Sequence, residues 1–573
     1  MAVVIIVTPM LFPSARAKSA AVQRDSVAAA LSRDSANQPA AAAAASGATA
    51  PIAATTPAPV PSVSAAPNTK APAVPVATQK IAAESIAVNG PHSVTTFSNY
   101  GAAPTSVRVQ GYSSLRPGHR DAPAVIAEPK GALLHYRLAN GADTIALDTV
   151  AFTVATNGNT TTFTSPVLTL SYQTVDGFRT QVRGTVANAR PGAALLIDLP
   201  TSFISNEADT LDDQRHFAYG YKIPLREPAS ILFSKVDAGA TRADTGSFQW
   251  VNARDKYWIV ALMQPVTPLA NGAQQKGVGI FRGMTVRGGP RINRIATTAA
   301  AATSYPIANG QIAFDMYAGP QKYEEYRPFG NDLENSNPYA GFLKPVVQPF
   351  VTITLRVLLW MKATTHLSYG WVLVIFGVVI RLVLWPLNQR AMRSSIQMQR
   401  LQPELQEVQK RYKSDPDKQR EALMKIYSAH GMSPLSPMLG CLPMLLPLPI
   451  LYALFSVFQN TVEFRGVPFL WLPDISLRDP YYIIPLVMGA SMFLLSWIGM
   501  RSMPSNPQAK MMSYMMPVMF TVMFANFASG LNLYYAVQNI ASLPQQWLVA
   551  RERAKAGPKA PGGAASASVK RRS

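Results

Sequence analysis

An arginine lies in the middle of a long apolar stretch of this sequence. Arg381 stands between Ile380 and Leu382 in VLVIFGVVIRLVLWPLNQR, residues 372–390. A central arginine costs a few kcal/mol or more in a bilayer, so it needs an explanation. The side chain could snorkel to the headgroups, because Leu387 is only about 9 Å further along a helix. Alternatively, it faces a water-containing cavity among helices, as intramembrane charges usually do.

The last apolar segment, LNLYYAVQNIASLPQQW, carries polar side chains at helical spacing. Asn532, Tyr535 and Asn539 fall at i, i+3 and i+7, with Gln538 adjacent. Such spacing predicts one polar helix face at membrane depth. Opposite Arg381, that face would form a hydrophilic groove. Hydrogen bonds that merely join helices are the other interpretation, and both stay open.

Other chemistry has little support in the sequence. The six histidines show no HExxH spacing, and no Walker A loop is present. GVGIFRG at Gly277 lacks the third glycine of a dinucleotide fingerprint, and the single cysteine, Cys441, allows no disulfide framework or thiolate cluster. The sequence therefore predicts no enzyme, no cofactor and no metal site.

Five apolar segments predict a polytopic α-helical membrane core: Gly370 to Leu387, Met438 to Phe458, Tyr482 to Ile498, Met511 to Phe527 and Leu531 to Trp547. Before them, Leu343 to Lys362 is apolar but interrupted by Arg356. This pattern is typical of an amphipathic helix lying in the membrane interface, here within 336–365.

Basic residues set the expected orientation. The segment 389–430 is rich in lysine and arginine, and its apolar residues at helical spacing, broken by a turn at Pro416, predict a helical hairpin: Leu401, Leu405, Tyr412 and Tyr427. The tail 551–573 is also basic. Both belong in the cytoplasm by the positive-inside rule, and five spans then leave the preceding domain outside.

The part before the helices divides into three. Residues 1–17 are apolar and end in Ala-Arg-Ala, so they are either a cleavable signal or an anchor helix that begins upstream of Met1. Residues 18–77 are rich in Ala and Pro and predict a disordered linker. Residues 78–335 show period-2 runs such as TTTFTSPVLTLSYQTV between turn residues, which predicts an all-β sandwich.

A series of motifs between Asn337 and Arg553 carries a resemblance: NPYAGFLKPVVQPF, VIRLVLWPL, LQPELQEVQKRY, DKQREALMKIY, GCLPMLLPLPILYALF, DPYYIIPLVMGASMF, MMPVMFTVMF and SGLNLYYAVQN. In this order they resemble the YidC family of membrane protein insertases, in its Gram-negative bacterial form with a large periplasmic domain. By position and pattern, the β domain resembles the periplasmic supersandwich of that family.

The resemblance implies an inner-membrane insertase and chaperone without nucleotide hydrolysis, whose core over 366–550 encloses a hydrophilic groove. Arg381 matches the groove arginine, and Tyr534 and Tyr535 match a tyrosine pair of which the second faces the substrate. It also implies a set of partners: nascent membrane proteins, the Sec translocon with its accessory subunits, and membrane lipids. The basic tail and loop predict contact with the ribosome, with topology control by positive charge as the alternative, and we expect a functional monomer.

Two positions depart from the family pattern. Gly377 stands where a threonine is common one turn before the arginine, and Ala528 gives FASG where FPSG is usual. The family also begins with an uncleaved anchor helix, so this chain is expected to start inside or after it. A small-anion transporter with a site at Arg381 is the competing hypothesis, although no inverted repeat is found.

Overall fold

The computed structural model describes residues 82–129, 131–266, 278–292, 295–337, 344–413, 415–429, 448–501 and 507–555. The predicted segments 1–17 and 18–77 lie outside the described residues, as do Gly277, Cys441 and the tail from residue 556 onward.

The first half of the described chain is built from antiparallel strands. One sheet pairs β1 (Ser85–Asn89), β2 (Ser93–Ser98), β3 (Pro104–Ser113) and β4 (Pro123–Ala127) in sequence order. A nine-stranded sheet has, from edge to edge, β13 (Ala229–Leu232), β12 (Ala218–Lys222), β15 (Trp250–Arg254), β16 (Trp258–Met263), β21 (Gln311–Pro320), β10 (Arg179–Val186), β9 (Leu168–Asp176), β8 (Thr160–Thr164) and β7 (Thr153–Asn157). A six-stranded sheet has β14 (Thr241–Phe248), β17 (Phe281–Gly288), β20 (Ala299–Pro306), β11 (Ala194–Leu199), β5 (His135–Asn140) and β6 (Asp143–Ala146). A short ribbon pairs β18 (Arg291–Ile292) with β19 (Ile295–Ala296).

The two large sheets share one core. In β9, burial alternates from Leu168 onward because successive side chains point to opposite faces of the sheet. The hydroxyl oxygens of Tyr172 on β9 and Tyr136 on β5 are hydrogen-bonded at 3.2 Å. The rings of Phe281 and Phe314 join the same two sheets with centroids 6.1 Å apart. The predicted all-β domain is confirmed as a sandwich.

The second half is helical. Two short helices, α1 (Thr210–Arg215) and α2 (Tyr323–Tyr326), belong to the β domain. The helical region comprises α3 (Lys344–Thr365), α4 (Tyr369–Arg411), α5 (Pro416–Ala429), α6 (Leu448–Asn460), α7 (Ile483–Arg501), α8 (Pro507–Phe524) and α9 (Ser529–Lys555).

Among the described residues, two segments are apolar and long enough to cross a bilayer: Tyr369–Gln389, with a mean hydropathy of 2.2, and Ile483–Met500, with 1.9. Met511–Phe524 is apolar but shorter.

Helix α3 is amphipathic in the structure. One stripe at helical spacing is buried: Val347, Val351, Leu355 and Leu358. On other faces of the helix, Ile353 and Trp360 are each more than half exposed. The stripe joins the core of the helical region and packs on α6.

Helix α4 continues through the predicted boundary between the first span and the hairpin. It runs unbroken for 43 residues and ends at Arg411, and α5 begins at Pro416. Most residues after Leu387 are good helix formers, so nothing stops the helix there. Proline suits the first turn of α5, which explains the position of the turn. Leu401 is buried, whereas Leu405, Tyr412 and Tyr427 are half-buried.

The loop after α6 joins the helical region to the β domain through side-chain contacts. Arg465 of this loop donates from Nε to Glu207 Oε1 at 2.8 Å, and the two side chains are 4% and 7% exposed. The guanidinium also lies 5.4 Å from the ring centroid of Trp258. Burial raises the pKa of the Glu207 carboxyl above its usual range, while Arg465 opposes that rise. The charged form of Glu207 is therefore stabilised by Arg465.

We expect Arg465→Met to destabilise the chain by about 3–5 kcal/mol, because it leaves a buried carboxylate without its cation. Methionine keeps much of the contact with Trp258. Thermal unfolding of the full chain in detergent, followed by tryptophan fluorescence, measures the change.

The matched control is Arg137→Met, which breaks a pair with Asp198 whose members are 41% and 31% exposed, and which should cost about 1 kcal/mol or less. The double variant Arg465→Met/Glu207→Gln should recover much of the loss. Equal effects of the two single arginine variants would refute a special role for the buried pair.

Candidate functional site

Helices α4 and α9 pack closely at a glycine. A methyl group added at Gly377 would lie 3.1 Å from Val537 Cγ1 and 3.5 Å from Tyr534 Cδ2. Any larger side chain would push the two helices apart. Close approach of this kind is typical of small residues between membrane helices.

One turn further along α4, Arg381 reaches across to α9. Its Nη2 donates to Gln545 Oε1 at 2.7 Å. Gln545 Nε2 in turn donates to the backbone carbonyl of Trp385, on α4, at 3.1 Å. Gln545 is fully buried, and Arg381 Nε is buried without a partner among the described residues.

The two helices run in the same direction, since Gly377 faces Val537 and Arg381 faces Gln545. The guanidinium therefore extends along α4 toward its hairpin end, to the level of Trp385. It ends on a buried amide. The contact fixes the position of the guanidinium between α4 and α9, and both explanations offered for Arg381, snorkelling and a water-containing cavity, stay predictions.

No carboxylate of the described chain lies within ion-pair distance of Arg381. The ion pairs of the described residues involve other side chains, such as Arg179 with Asp315 and Arg465 with Glu207. A neutral amide accepts a hydrogen bond without cancelling the charge. Among the described residues, the site thus holds a positive charge that no carboxylate compensates. Nowhere in the described part of the chain do three or more His, Cys, Asp or Glu residues cluster as metal ligands would.

Tyr534 and Gln538 lie on the face of α9 that is turned toward Gly377 of α4. The Tyr534 side chain is 2% exposed, and its ring packs on Phe376 with centroids 5.8 Å apart. Gln538 Nε2 donates to Tyr534 Oη at 2.8 Å. Both predicted site residues therefore lie near the α4 contact.

The other predicted residues of α9 contact different helices. Asn532 Nδ2 donates to the carbonyl of Phe524 at the end of α8 at 2.9 Å, and the Tyr535 ring lies 5.7 Å from the Phe524 ring. Asn539 Nδ2 donates to Ser491 Oγ of α7 at 3.2 Å. These side chains join α9 to α7 and α8, so the polar residues of α9 are divided among three neighbours.

Gln545, the partner of Arg381, is not among the site residues that the sequence predicted. Gln545 follows Gln538 by seven residues, or two helical turns, so both lie on one face. That spacing could have indicated it. Extending the polar face beyond Asn539 would have been enough.

The fold and this site define a helical membrane protein that carries a large all-β domain. Residues 360–556 match the family described as 60Kd inner membrane protein. The chain is 34% identical over 311 residues to the membrane protein insertase YidC of Magnetococcus marinus, covering 54% of this chain and 52% of that protein. It is 39% identical over 189 residues to YidC of Campylobacter jejuni, covering 33% and 35%. The predicted resemblance to the YidC family is confirmed.

The alignment with the Magnetococcus protein spans about half the length of that relative. Among solved structures, the chain is similar to an active YidC insertase with its first transmembrane domain resolved, at 17% identity and a TM-score of 0.32, covering 82% of this chain and 93% of the other. It is also similar to a galactose mutarotase related enzyme from Lactobacillus acidophilus, at 10% identity and a TM-score of 0.26, covering 41% and 97%. Both scores are too low to support a statement about fold or function.

We expect Gly377→Leu to separate α4 from α9 and to cost about 1–3 kcal/mol of stability through overpacking. Val378→Leu is the matched control, because Val378 is adjacent in sequence and 38% exposed. Thermal unfolding of the two purified variants in detergent measures the difference. Equal midpoints would contradict the close packing at Gly377.

Proposed function

We propose that the chain is a membrane protein insertase and chaperone of the inner membrane, acting through a hydrophilic groove without nucleotide hydrolysis. The observation that carries this proposal is the position of Arg381, between α4 and α9 and without a carboxylate partner among the described residues, in a region that matches the family described as 60Kd inner membrane protein. A permanent charge at this depth costs free energy, so its retention favours a role in function.

The mechanism is physical. A polar segment of an incoming chain must lose water to cross the apolar layer, and a groove holding Arg381 lowers that cost for acidic segments in particular. Apolar helices of the substrate then partition into lipid, where their backbone groups are already hydrogen-bonded. Tyr534, Tyr535, Gln538, Asn532 and Asn539 are the further polar residues of α9 assigned to the groove in this proposal.

The packing supports the proposed orientation. Tyr369, at the start of α4, packs on Phe464 with ring centroids 4.7 Å apart, in the loop that binds the β domain. The hairpin lies at the other end of α4, which is about 65 Å long at 1.5 Å per residue. A bilayer core is about 30 Å thick, so the two ends can lie on opposite sides. We place the β domain in the periplasm and the hairpin and C-terminus in the cytoplasm.

The proposed partners follow from this arrangement. Nascent membrane proteins are the substrates, either alone or delivered by the Sec translocon and its accessory subunits. The basic hairpin and tail contact the ribosome and anionic lipids. The chain acts as a monomer in this proposal.

A small-anion transporter is the other function that a positive site would allow. Depletion of the protein separates the two hypotheses. Loss of membrane protein insertion with unchanged solute uptake supports the insertase, and the reverse result supports the transporter.

We expect Arg381→Leu to impair insertion of a substrate with an acidic translocated segment more than one with a neutral segment. Arg381→Lys should keep much of the activity, because the groove needs charge more than bidentate geometry. Insertion of the two substrates is measured at equal expression of each variant.

Lys235→Gln is the control, since it removes one positive charge from an exposed position of the β domain. It should leave both substrates unaffected. Equal insertion of both substrates by Arg381→Leu and the unaltered protein would contradict the charge mechanism.

The tail yields a separate prediction. After Arg553, five basic residues lie in an Ala, Gly and Ser-rich segment: Lys555, Lys559, Lys570, Arg571 and Arg572. Deletion after Arg553 should weaken ribosome binding and flatten its salt dependence, with the slope of log K against log salt changing by up to about 3.5, at ~0.7 per neutralised phosphate.

A tail of unaltered length with these five residues changed to glutamine tests charge apart from chain length, and should bind like the deletion. Cosedimentation with ribosomes measures the binding. Binding that does not change with salt concentration, or that survives the deletion, would exclude the proposed contact.

A further inference from the structure

Gln545 connects to α4 at two points. Its Oε1 accepts from Arg381, and its Nε2 donates to the Trp385 carbonyl. A guanidinium can only donate and a carbonyl can only accept, so one orientation of the amide satisfies both contacts. The backbone of α4 therefore fixes the acceptor that Arg381 meets.

The chemistry of the amide suits a charge that must stay available. A carboxylate at position 545 would pair with Arg381 and cancel its charge, whereas the amide takes one N–H and leaves the charge intact. Arginine has five N–H donors, and Gln545 uses one of them. An apolar residue at 545 would release a long, flexible side chain that could turn toward the headgroups.

Helix α9 holds Gln545 firmly. The side chain is fully buried, and α9 is packed against α4 at Gly377, two turns of α4 before the Trp385 carbonyl. α9 also bonds to α7 through Asn539. A group fixed on both sides can hold a partner in one geometry.

We propose that Gln545 is the positioning residue for Arg381: it holds the guanidinium between α4 and α9 as an uncompensated cation facing the path of an acidic substrate segment. The inference rests on the proposed insertase function and adds a residue to that site. Gln545 acts through Arg381, so it need not touch the substrate.

The test compares insertion of acidic-tailed and neutral-tailed substrates by Gln545→Met and Gln545→Glu in the full chain. Methionine keeps the length of the side chain and removes both hydrogen bonds. We expect roughly a tenfold loss with the acidic substrate, the size of a lost hydrogen bond to a charged group, and little loss with the neutral one. Glutamate should give the same selective loss, because it cancels the charge while keeping a polar side chain.

Gln546→Met is the matched control. This residue is adjacent on α9, and its Nε2 lies toward Gly499 of α7. It should insert both substrates normally. If Gln545 has a merely structural role, Gln545→Met should lower the insertion of both substrates equally. This result would overturn the inference.

The double variant Arg381→Leu/Gln545→Met separates the inference from the proposed function. If Gln545 acts through Arg381, the double variant should equal Arg381→Leu alone. A further loss in the double variant overturns the positioning role and leaves the insertase proposal standing. An Arg381→Leu variant that inserts both substrates normally overturns the charge mechanism, and the positioning role with it.

Discussion

The positive charge of Arg381, held between α4 and α9, is the constraint on which the packing of these two helices depends. Removing an ion from water costs several kcal/mol even after relaxation, so the surroundings of Arg381 must compensate for it. Gln545 supplies one hydrogen bond without supplying a negative charge. The contact requires α4 and α9 to lie close together, which explains why a glycine is suited to position 377.

The β domain is tied to the helices by an exchange of side chains. Val462, from the loop after α6, belongs to the core of the sandwich, and Tyr323, from the end of the β domain, belongs to the core of the helical region. Arg465 and Glu207 add a buried ion pair at the same junction. The same loop also meets the start of α9, where Ser529 N donates to the Leu477 carbonyl at 2.6 Å. The end of the helix that carries Gln545 is thereby fixed to the β domain.

The unbroken α4 joins the charged site to the hairpin. Because Arg381 and Leu401 lie on one helix, a change in the position of the hairpin moves the helix that carries the arginine. A helix without an interruption transmits displacement better than a loop would.

The sequence by itself determined the kinds of structure and the presence of the charge. Period-2 runs predicted the β domain, and the apolar segments predicted the helices, because both patterns are local. The match to the family also follows from the sequence alone. The partner of Arg381 was decided by tertiary structure, since 164 residues separate it from Gln545 and helical periodicity does not specify which neighbour a polar face meets. For the same reason Asn532 and Asn539, predicted on one face with Tyr535, bond to α8 and α7: a residue's place on a helix is local, whereas its contacts depend on how the helices pack.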